Sequence, residues 1–551
     1  EMVARGERLF VESPDDTTRI MCSTVHKCVA PETLVETPEG LLPIERINNR
    51  GSIATPTGGQ AYKGLFKREP GWMIRLETKG GYEIRVSPDH GIDVWRDGYS
   101  RLDATNIRPG DVLRLRLGAT FDAPVPLLPQ PPTDLDVRTR LYRTPSMLSG
   151  DVAELFGLIV GDGTVYERGL RLTKRHRDVV ERFATLMQQT FGVAVNHCHV
   201  DGNAYGMEVN SAFVAAWLRS VGGMEPNEKY VPDCVLRAPL EMQARFLRGL
   251  WEDGTVNVKD GKLDHIMWTN RSASVVATVR VMLLRLGIIT GTVHAFHNNE
   301  RYYDHLCAYG VNAHRFRDRV GFVAAFKNNL LQAPTGLETQ YTVPVTTEER
   351  HALRELCGAS SEIRNAKRDN KFSRHGLEKI IAGHTGRLVD AMRERLRWHH
   401  VPVHKIEWYE GASMCVEVPE GNQFLQNGFA GWNSKGLERP RVFLVHDTFF
   451  WEDKYTERGG GNDYEQRRWF RPIDDVDGAN VYYVGVTRFK EELWCCGGPA
   501  PGFVKNTEMP LFDRGARGVP ELRTHAPLYL VSPLALANDD VEVVEHPEAP
   551  E

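Results

Sequence analysis

The chain has 551 residues, a net charge of −5 and 26% charged residues. That length exceeds what one hydrophobic core supports, so three or four domains are expected. The slightly acidic balance excludes a global basic field, and any nucleic-acid surface must be local. Nine cysteines with no CxxC pair argue against a zinc site or a disulfide framework, and for a reducing, cytoplasmic setting. No apolar run reaches about 18 residues, so no membrane span is expected. The sequence opens at Glu1 without Met or a signal peptide, which reads as a fragment of a longer product.

In chain order, residues 1–27 end in RIMCSTVHK, an apolar stretch that reads as strand then loop. Residues 28–118 carry alternating runs (TLVET, MIRLET, YEIRVS) separated by Gly and Pro, which predict short β-strands. PVPLLPQPPTD at 124–134 reads as a linker. Residues 150–330 mix helices and strands in two similar halves, keyed by LFGLIVGDGTV (155–165) and FLRGLWEDGTV (246–256). SASVVATVRVMLLRLGI (272–288) reads as a packing helix, and His197-Cys198-His199 as structural, because adjacent strand residues face opposite ways. Residues 345–400 read as helical; between 364 and 397 ten Arg/Lys stand against four acids, suiting either DNA phosphates or a solvated face. Strands return at 403–430, and 538–551 is an acidic, disordered tail.

Deleting the residues between Lys27 and Ser434 joins the ends into STVHK–SKGLERPRVFLV. That string resembles the T-x-H-x-x-K-G-L-E motif of UvrD/Rep-like superfamily 1 DNA helicases. The intervening segment, opening with Cys28 and closing with Asn433 before Ser434, resembles an intein. CVAPETLVETPEG is similar to the opening block of inteins and hedgehog-like Hint domains. GYEIRVSPDHGIDVW (81–95) is similar to their second block, DATNIRPGDVL (103–113) to the strand and turn that follow, and MCVEVPEGNQFLQNGFAGWNS (414–434) to the terminal block.

The resemblance implies roles that fit the chemistry of the side chains. The Cys28 sulfur attacks the Lys27 carbonyl and moves the upstream chain onto a thioester. His90 holds the amide nitrogen and protonates it as it leaves. Ser87, where the family usually has Thr, supports the same amide. Asn433 cyclises and cuts its bond to Ser434, whose hydroxyl has taken the upstream chain. Cys415 relays a proton or packs in the core. Two helpers differ from the pattern: Trp432 stands at the penultimate His position, and Asn422 replaces another His. A slow C-terminal step and an accumulating branched ester are therefore expected.

LFGLIVGDG (155–163) resembles the LAGLIDADG motif of homing endonucleases. The resemblance implies two closely packed helices, each ending in a carboxylate that holds a divalent ion, Mg2+, for cleaving double-stranded DNA. Asp162 is the first such residue. The second copy is one residue shorter from Gly to Asp, and one residue turns a helical side chain by about 100°. Either Asp253 reaches the site by local adjustment, or Glu252 substitutes, or the nuclease is damaged. Lys229 occupies the position of a catalytic lysine upstream of the second motif, or is a surface lysine before a turn. The nuclease is expected to act as a monomer of two pseudo-symmetric halves.

YYVGVTRFKEELW (482–494) resembles the last helicase motif, with Arg488 the arginine finger. Thr24, His26, Gly436 and Glu438 belong to the rejoined motif. No G-x-x-x-x-G-K-[ST] loop occurs, so this host piece is an incomplete ATPase. The spliced helicase is expected to use ATP with Mg2+ and single-stranded DNA, and to lack function before splicing. Splicing itself needs no cofactor.

The fold class expected is multidomain: a mainly-β Hint horseshoe split by an α/β LAGLIDADG endonuclease, flanked by α/β RecA-like pieces. The boundaries are 1–27 (upstream host), 28–145 and 401–433 (Hint), 146–335 (endonuclease), 336–400 (basic helical, DNA-binding or linker) and 434–551 (downstream host). Two alternatives remain: a hedgehog-like domain that cleaves without ligation, and a decayed DNA-binding insert. The Asn433–Ser434 end and the rejoined string oppose the first, while Trp432, Asn422 and the shortened motif favour the second.

Overall fold

A computed structural model describes residues 27–136, 138–198, 204–226, 228–297, 300–336, 341–358 and 370–432. It also describes backbone strands at 9–12, 18–22, 439–445, 489–496, 510–514, 520–524 and 542–544. Two compact units emerge: residues 1–27 with 434–551, and residues 28–433. The chain as a whole is mixed α/β.

In the smaller unit the seven strands form one sheet in chain order. Strand Thr18–Cys22 pairs in parallel with Arg439–Val445, and that strand in parallel with Phe489–Cys496. The remaining neighbours are antiparallel except the last pair. Parallel neighbours require a crossover connection rather than a tight turn.

The larger unit contains a nine-stranded antiparallel sheet built from both of its ends. Strands Gly58–Thr78 and Trp398–Glu417 run against each other along almost their whole length. Short strands were expected here, and the difference has a local cause. Register shifts at Val403/Lys405, Gly411/Ser413 and Val416/Glu417 let one ribbon bend without breaking. The returning strand begins at Trp398 rather than near residue 403, because residues 398–402 pair with strand Val112–Arg116. Alternating residues of the sheet, among them Ile74, Leu76, Val94, Leu113, Leu115, Val401 and Val403, fill the core on one face.

The α/β part repeats one pattern. Helix Gly150–Asp162 is followed by a hairpin (163–174), helix Arg177–Phe191, a second strand pair (196–209) and helix Ala212–Val221. Helix Leu240–Leu250 opens a matching series through hairpin 255–270, helix Ala273–Arg285, hairpin 291–309 and helix Val311–Arg319. Each half carries a four-stranded antiparallel sheet. Ser149 and Ser272 cap their helices through side-chain oxygens that accept from Val152 and Val275 backbone N–H groups.

The two opening helices pack through glycine. A Cβ on Gly157 would lie 2.0 Å from the Phe246 carbonyl oxygen, and one on Gly249 2.2 Å from that of Glu154. Between them Glu154, fully buried, meets Arg182 at 2.7 Å and Arg245 at 3.3 Å. A buried carboxylate is tolerated when paired in this way.

Two further readings are corrected. The Pro-rich stretch is docked rather than a free linker. Leu128 is buried, and the Pro129 carbonyl accepts from Trp217 Nε1 at 2.9 Å. Proline lacks an N–H but keeps its carbonyl acceptor. The basic stretch is only partly a surface: Arg374 is buried and donates to the Trp398 and Leu396 carbonyls. Arg395 forms a two-pronged pair with Glu349 at 2.5 and 2.8 Å. Helices Thr347–Cys357, Arg374–Ile381 and Arg387–Leu396 share a small core of their own around Leu353, Phe372, Leu377 and Met392. Residues 364–369 and the tail at 545–551 lie outside the described residues.

No disulfide joins the described cysteines. No described helix is long and apolar enough to cross a membrane.

Valine at Gly249 must push backbone against backbone, so the Gly249→Val variant should lose about 2 kcal/mol or more, read by urea denaturation. A second expectation concerns acid. His399 is driven down to about 3 by burial and then by Arg374, and His400 far below its ordinary value by burial and then by His399. Both fold as neutral imidazoles, so their stabilisation is present above about pH 6.5 and is lost as pH falls through that value. Each costs about 2 kcal/mol at pH 5. Denaturation midpoints should fall between pH 7.5 and 5, and His399→Leu should flatten the slope.

Candidate functional site

Two constellations emerge in the larger unit. The first lies where its opening residues meet its closing strands. Val29 and Met414 exchange both backbone hydrogen bonds at 2.8 Å, and Val29 also bridges Val86. That antiparallel register sets Cys28 opposite Cys415. Both thiols are buried. The hydrogen bond to Cys415, and then burial, push the Cys28 thiol well above its ordinary value.

The Cys28 amide is held by Ser87. Its hydroxyl oxygen accepts from the Cys28 N–H at 3.0 Å and donates to Asp89 Oδ1 at 2.9 Å. The Ser87 N–H returns a bond to the Cys28 carbonyl at 2.9 Å. Both His90 and Ser87 were expected at this amide; its N–H donates to Ser87. His90 is fully buried, with Nε2 at 2.9 Å from Gln426 Oε1. Burial lowers the imidazole to about 4, opposed by Gln426 and the Cys28 backbone. It is therefore neutral at pH 7 and able to accept a proton.

Sequence reasoning missed Gln426 and Asp93. The available signal was glycine. A Cβ on Gly431 would meet Gln426 Oε1 at 2.3 Å, so any larger residue would displace the amide that reaches His90. Asn422 sits at φ +53 in the turn before strand Gln423–Gln426. Asn tolerates that conformation better than most side chains. Trp432 donates from Nε1 to Asp93 at 2.5 Å. Asn433 and Ser434 lie outside the described residues, as do Thr24, His26, Gly436, Glu438 and Arg488.

The second constellation lies at the ends of the glycine-packed helices. After Leu250 the chain tightens into a 3-10 turn, Trp251–Asp253. That turn rotates Asp253 toward Asp162, supplying the local adjustment the shortened motif needs. Lys174 Nζ lies between them, 3.2 Å from Asp162 and in contact with Asp253. Burial alone would lower the Lys174 ammonium, but Asp253 and Asp162 outweigh it and hold it charged. Asp253 is raised to about 6, chiefly by burial and by the Asp162 charge, against Lys174. Asp162 stays below its usual value: burial would raise it, but Lys174 and the hydrogen bond from Asp253 prevail. Lys229 donates to the carbonyls of Ile159, Gly161 and Gly163, the last at 2.8 Å, closing the first helix. Burial lowers its ammonium, with the two aspartates pulling the other way.

Glu252 is not a substitute ligand. It is buried, accepts from the Val323 and Ala324 N–H groups at 2.8 and 3.2 Å, and pairs with Lys327 at 3.0 Å. These bonds commit it to the second half's core. Lys174 was not anticipated, because only the hairpin's return brings it back to the helix ends. Two carboxylates only half offset by one ammonium are a donor set that suits a hard divalent cation. Among the described residues no third His, Cys, Asp or Glu completes the shell, so water or substrate oxygens would fill it.

Part of the chain matches curated proteins. The glutamine–fructose-6-phosphate aminotransferase (isomerizing) of Methanocaldococcus jannaschii is 25% identical over 54% of this chain and 28% of its own length. The replicative DNA helicase DnaB of Nostoc sp. is 27% identical over 39% of this chain and 24% of its own. The chain thus spans only about a quarter of the length of these relatives. Mesophilic variants of the homing endonuclease I-DmoI align over 31% of this chain and 95% of theirs, with 18% identity and a TM-score of 0.25. The gp41-1 intein aligns over 16% of this chain and 69% of its own, with 20% identity and a TM-score of 0.15. Residues 241–321, which hold the second motif helix and Asp253, match the family described as "LAGLIDADG-like domain".

Proposed function

We propose that residues 28–433 are a self-excising intein that ligates Lys27 to Ser434 and carries a LAGLIDADG homing endonuclease. The observation that carries the reading is the Cys28 site: one buried thiol whose own amide is held by Ser87, with His90 and Cys415 beside it. The division of the chain at Lys27/Cys28 and Asn433/Ser434 supports it. So do partial matches to an aminotransferase and to a helicase, which suit an insert carried by unrelated hosts. On this reading the β-rich part is a Hint horseshoe, and the flanks belong to a UvrD-like helicase with a RecA-like domain. That host works with ATP, Mg2+ and single-stranded DNA.

The residues divide the work. Neutral His90 takes the proton from the high-pKa Cys28 thiol as its sulfur attacks the Lys27 carbonyl. The imidazolium formed is a strong acid and protonates the departing Cys28 nitrogen. Ser87, anchored by Asp89, keeps that nitrogen in line. Cys415 shields the thiol and shares its proton. The upstream chain then passes to the Ser434 hydroxyl, Asn433 cyclises, and an O-to-N shift leaves an amide. Gathering these groups makes each step intramolecular, which is worth about 7 kcal/mol or more.

At the second site Asp162 and Asp253 would hold Mg2+, which when bound activates water and stabilises the leaving oxygen. Lys174 favours the charged form of both carboxylates and holds them close together. Lys229 fixes the end of the first helix. The partner is double-stranded DNA of the uninterrupted host coding sequence.

Intact mass of the doubly tagged chain should show residues 1–27 joined to 434–551, beside excised 28–433. His90→Ala should slow thiol-induced release at Cys28 by about 100-fold or more, and Cys28→Ala should abolish it. An unchanged precursor would refute splicing. Cleavage without ligation would favour the hedgehog-like alternative.

A duplex encoding the rejoined STVHKSKGLE should be cut in Mg2+, and Asp162→Asn should reduce cutting by about 100-fold or more. Undiminished cutting by that variant would remove the carboxylate pair from catalysis. Glu252→Gln should instead cost about 3 kcal/mol of stability by stranding Lys327.

A further inference from the structure

Trp432 precedes Asn433, at a position where the family uses a histidine. An indole cannot exchange protons at neutral pH, so it cannot take over acid–base work. Its single N–H donor is spent on Asp93, at 2.5 Å from Oδ1. The Asp93 carboxylate is buried. It also receives Gln423 Nε2 at 3.2 Å on both oxygens and the Arg114 guanidinium. Three donors from three different strands thus meet on one carboxylate.

The surroundings of the indole are built for that pose. Strand Phe429–Trp432 pairs with Gln423–Gln426 on one side and Gly91–Ile92 on the other, with Trp432 opposite both Gln423 and Gly91. The Arg101 guanidinium lies 5.2 Å from the ring centre. A Cβ on Gly91 would stand 2.6 Å from Arg101 Nε and 3.0 Å from Trp432 Cβ, so glycine leaves the room that ring and arginine occupy.

We infer that Asp93 is a positioning residue for C-terminal cleavage: through the Trp432 indole it fixes the backbone that runs into Asn433. The inference rests on the splicing reading above and deepens it. A charge-assisted bond inside a buried site holds geometry more firmly than a neutral one. Fixing the residue before the scissile bond replaces, by orientation, part of what a histidine would supply by proton transfer.

The test uses the full chain tagged at both ends, with two rates followed by intact mass: thiol-induced release at Cys28 and cleavage after Asn433. Trp432→Phe removes the donor but keeps a ring for Arg101. It should slow C-terminal cleavage tenfold or more, with thiol-induced release within twofold of the parent. Asp93→Leu should do the same. Asp93→Asn, which retains an acceptor for the indole, should recover most of the rate. C-terminal cleavage at the parental rate in Trp432→Phe would overturn the inference. So would an Asp93→Leu variant slowed equally at both ends, which would mark a general structural role. A parent that releases nothing at either end would instead bring down the splicing reading, and the inference with it.

Discussion

Everything in the larger unit depends on the pairing of strand Gly58–Thr78 with strand Trp398–Glu417. These strands come from opposite ends of the segment, and their ladder closes a loop of several hundred residues. Loop-closure entropy rises only logarithmically with length, so a long inserted domain costs little more than a short one. What the ladder must supply is register. Met414 faces Val29 only because the register shifts along the ribbon deliver it there. Cys28, Ser87, His90 and Gln426 then converge from segments remote in sequence.

The inserted α/β part is joined to this frame by shared packing rather than by a tether alone. Leu34 and Leu41, on the first hairpin, belong to the core of the α/β part, and Leu284 of helix Ala273–Arg285 belongs to the core of the sheet. Arg285 reaches across to Glu36, a pair buried on both sides. Breaking such a pair strands a buried charge, so the two parts are expected to hold a fixed relation. The segment 341–397 has a core of its own beside the returning strand.

The two sites use opposite electrostatics. Around Cys28 the groups are kept neutral: the thiol is raised by its hydrogen bond to Cys415 and then by burial, and His90 is lowered by burial. At the helix ends charge is retained, because buried Lys174 bridges Asp162 and Asp253, whose carboxylates reach the surface. Glycine governs both places. It lets two helices approach until their backbones touch, and it clears space for Gln426 and for Trp432.

Sequence alone singled out Cys28, the block around His90, the paired motifs and the two places where the chain divides, because these rest on residue identity at fixed local spacing. It also gave the halves of the α/β part, since helical and strand periodicities are local. Tertiary structure decided the rest. Asp253 rather than Glu252 faces Asp162, because a 3-10 turn resets the rotation at the helix end. Of the two residues expected at the Cys28 amide, Ser87 accepts its N–H, because the bridge to Val86 sets that alignment. Lys174, Asp93 and Gln426 entered their sites through strand pairing across long separations. Pairing partners are chosen by packing and hydrogen bonding in three dimensions, and local composition carries no record of that choice.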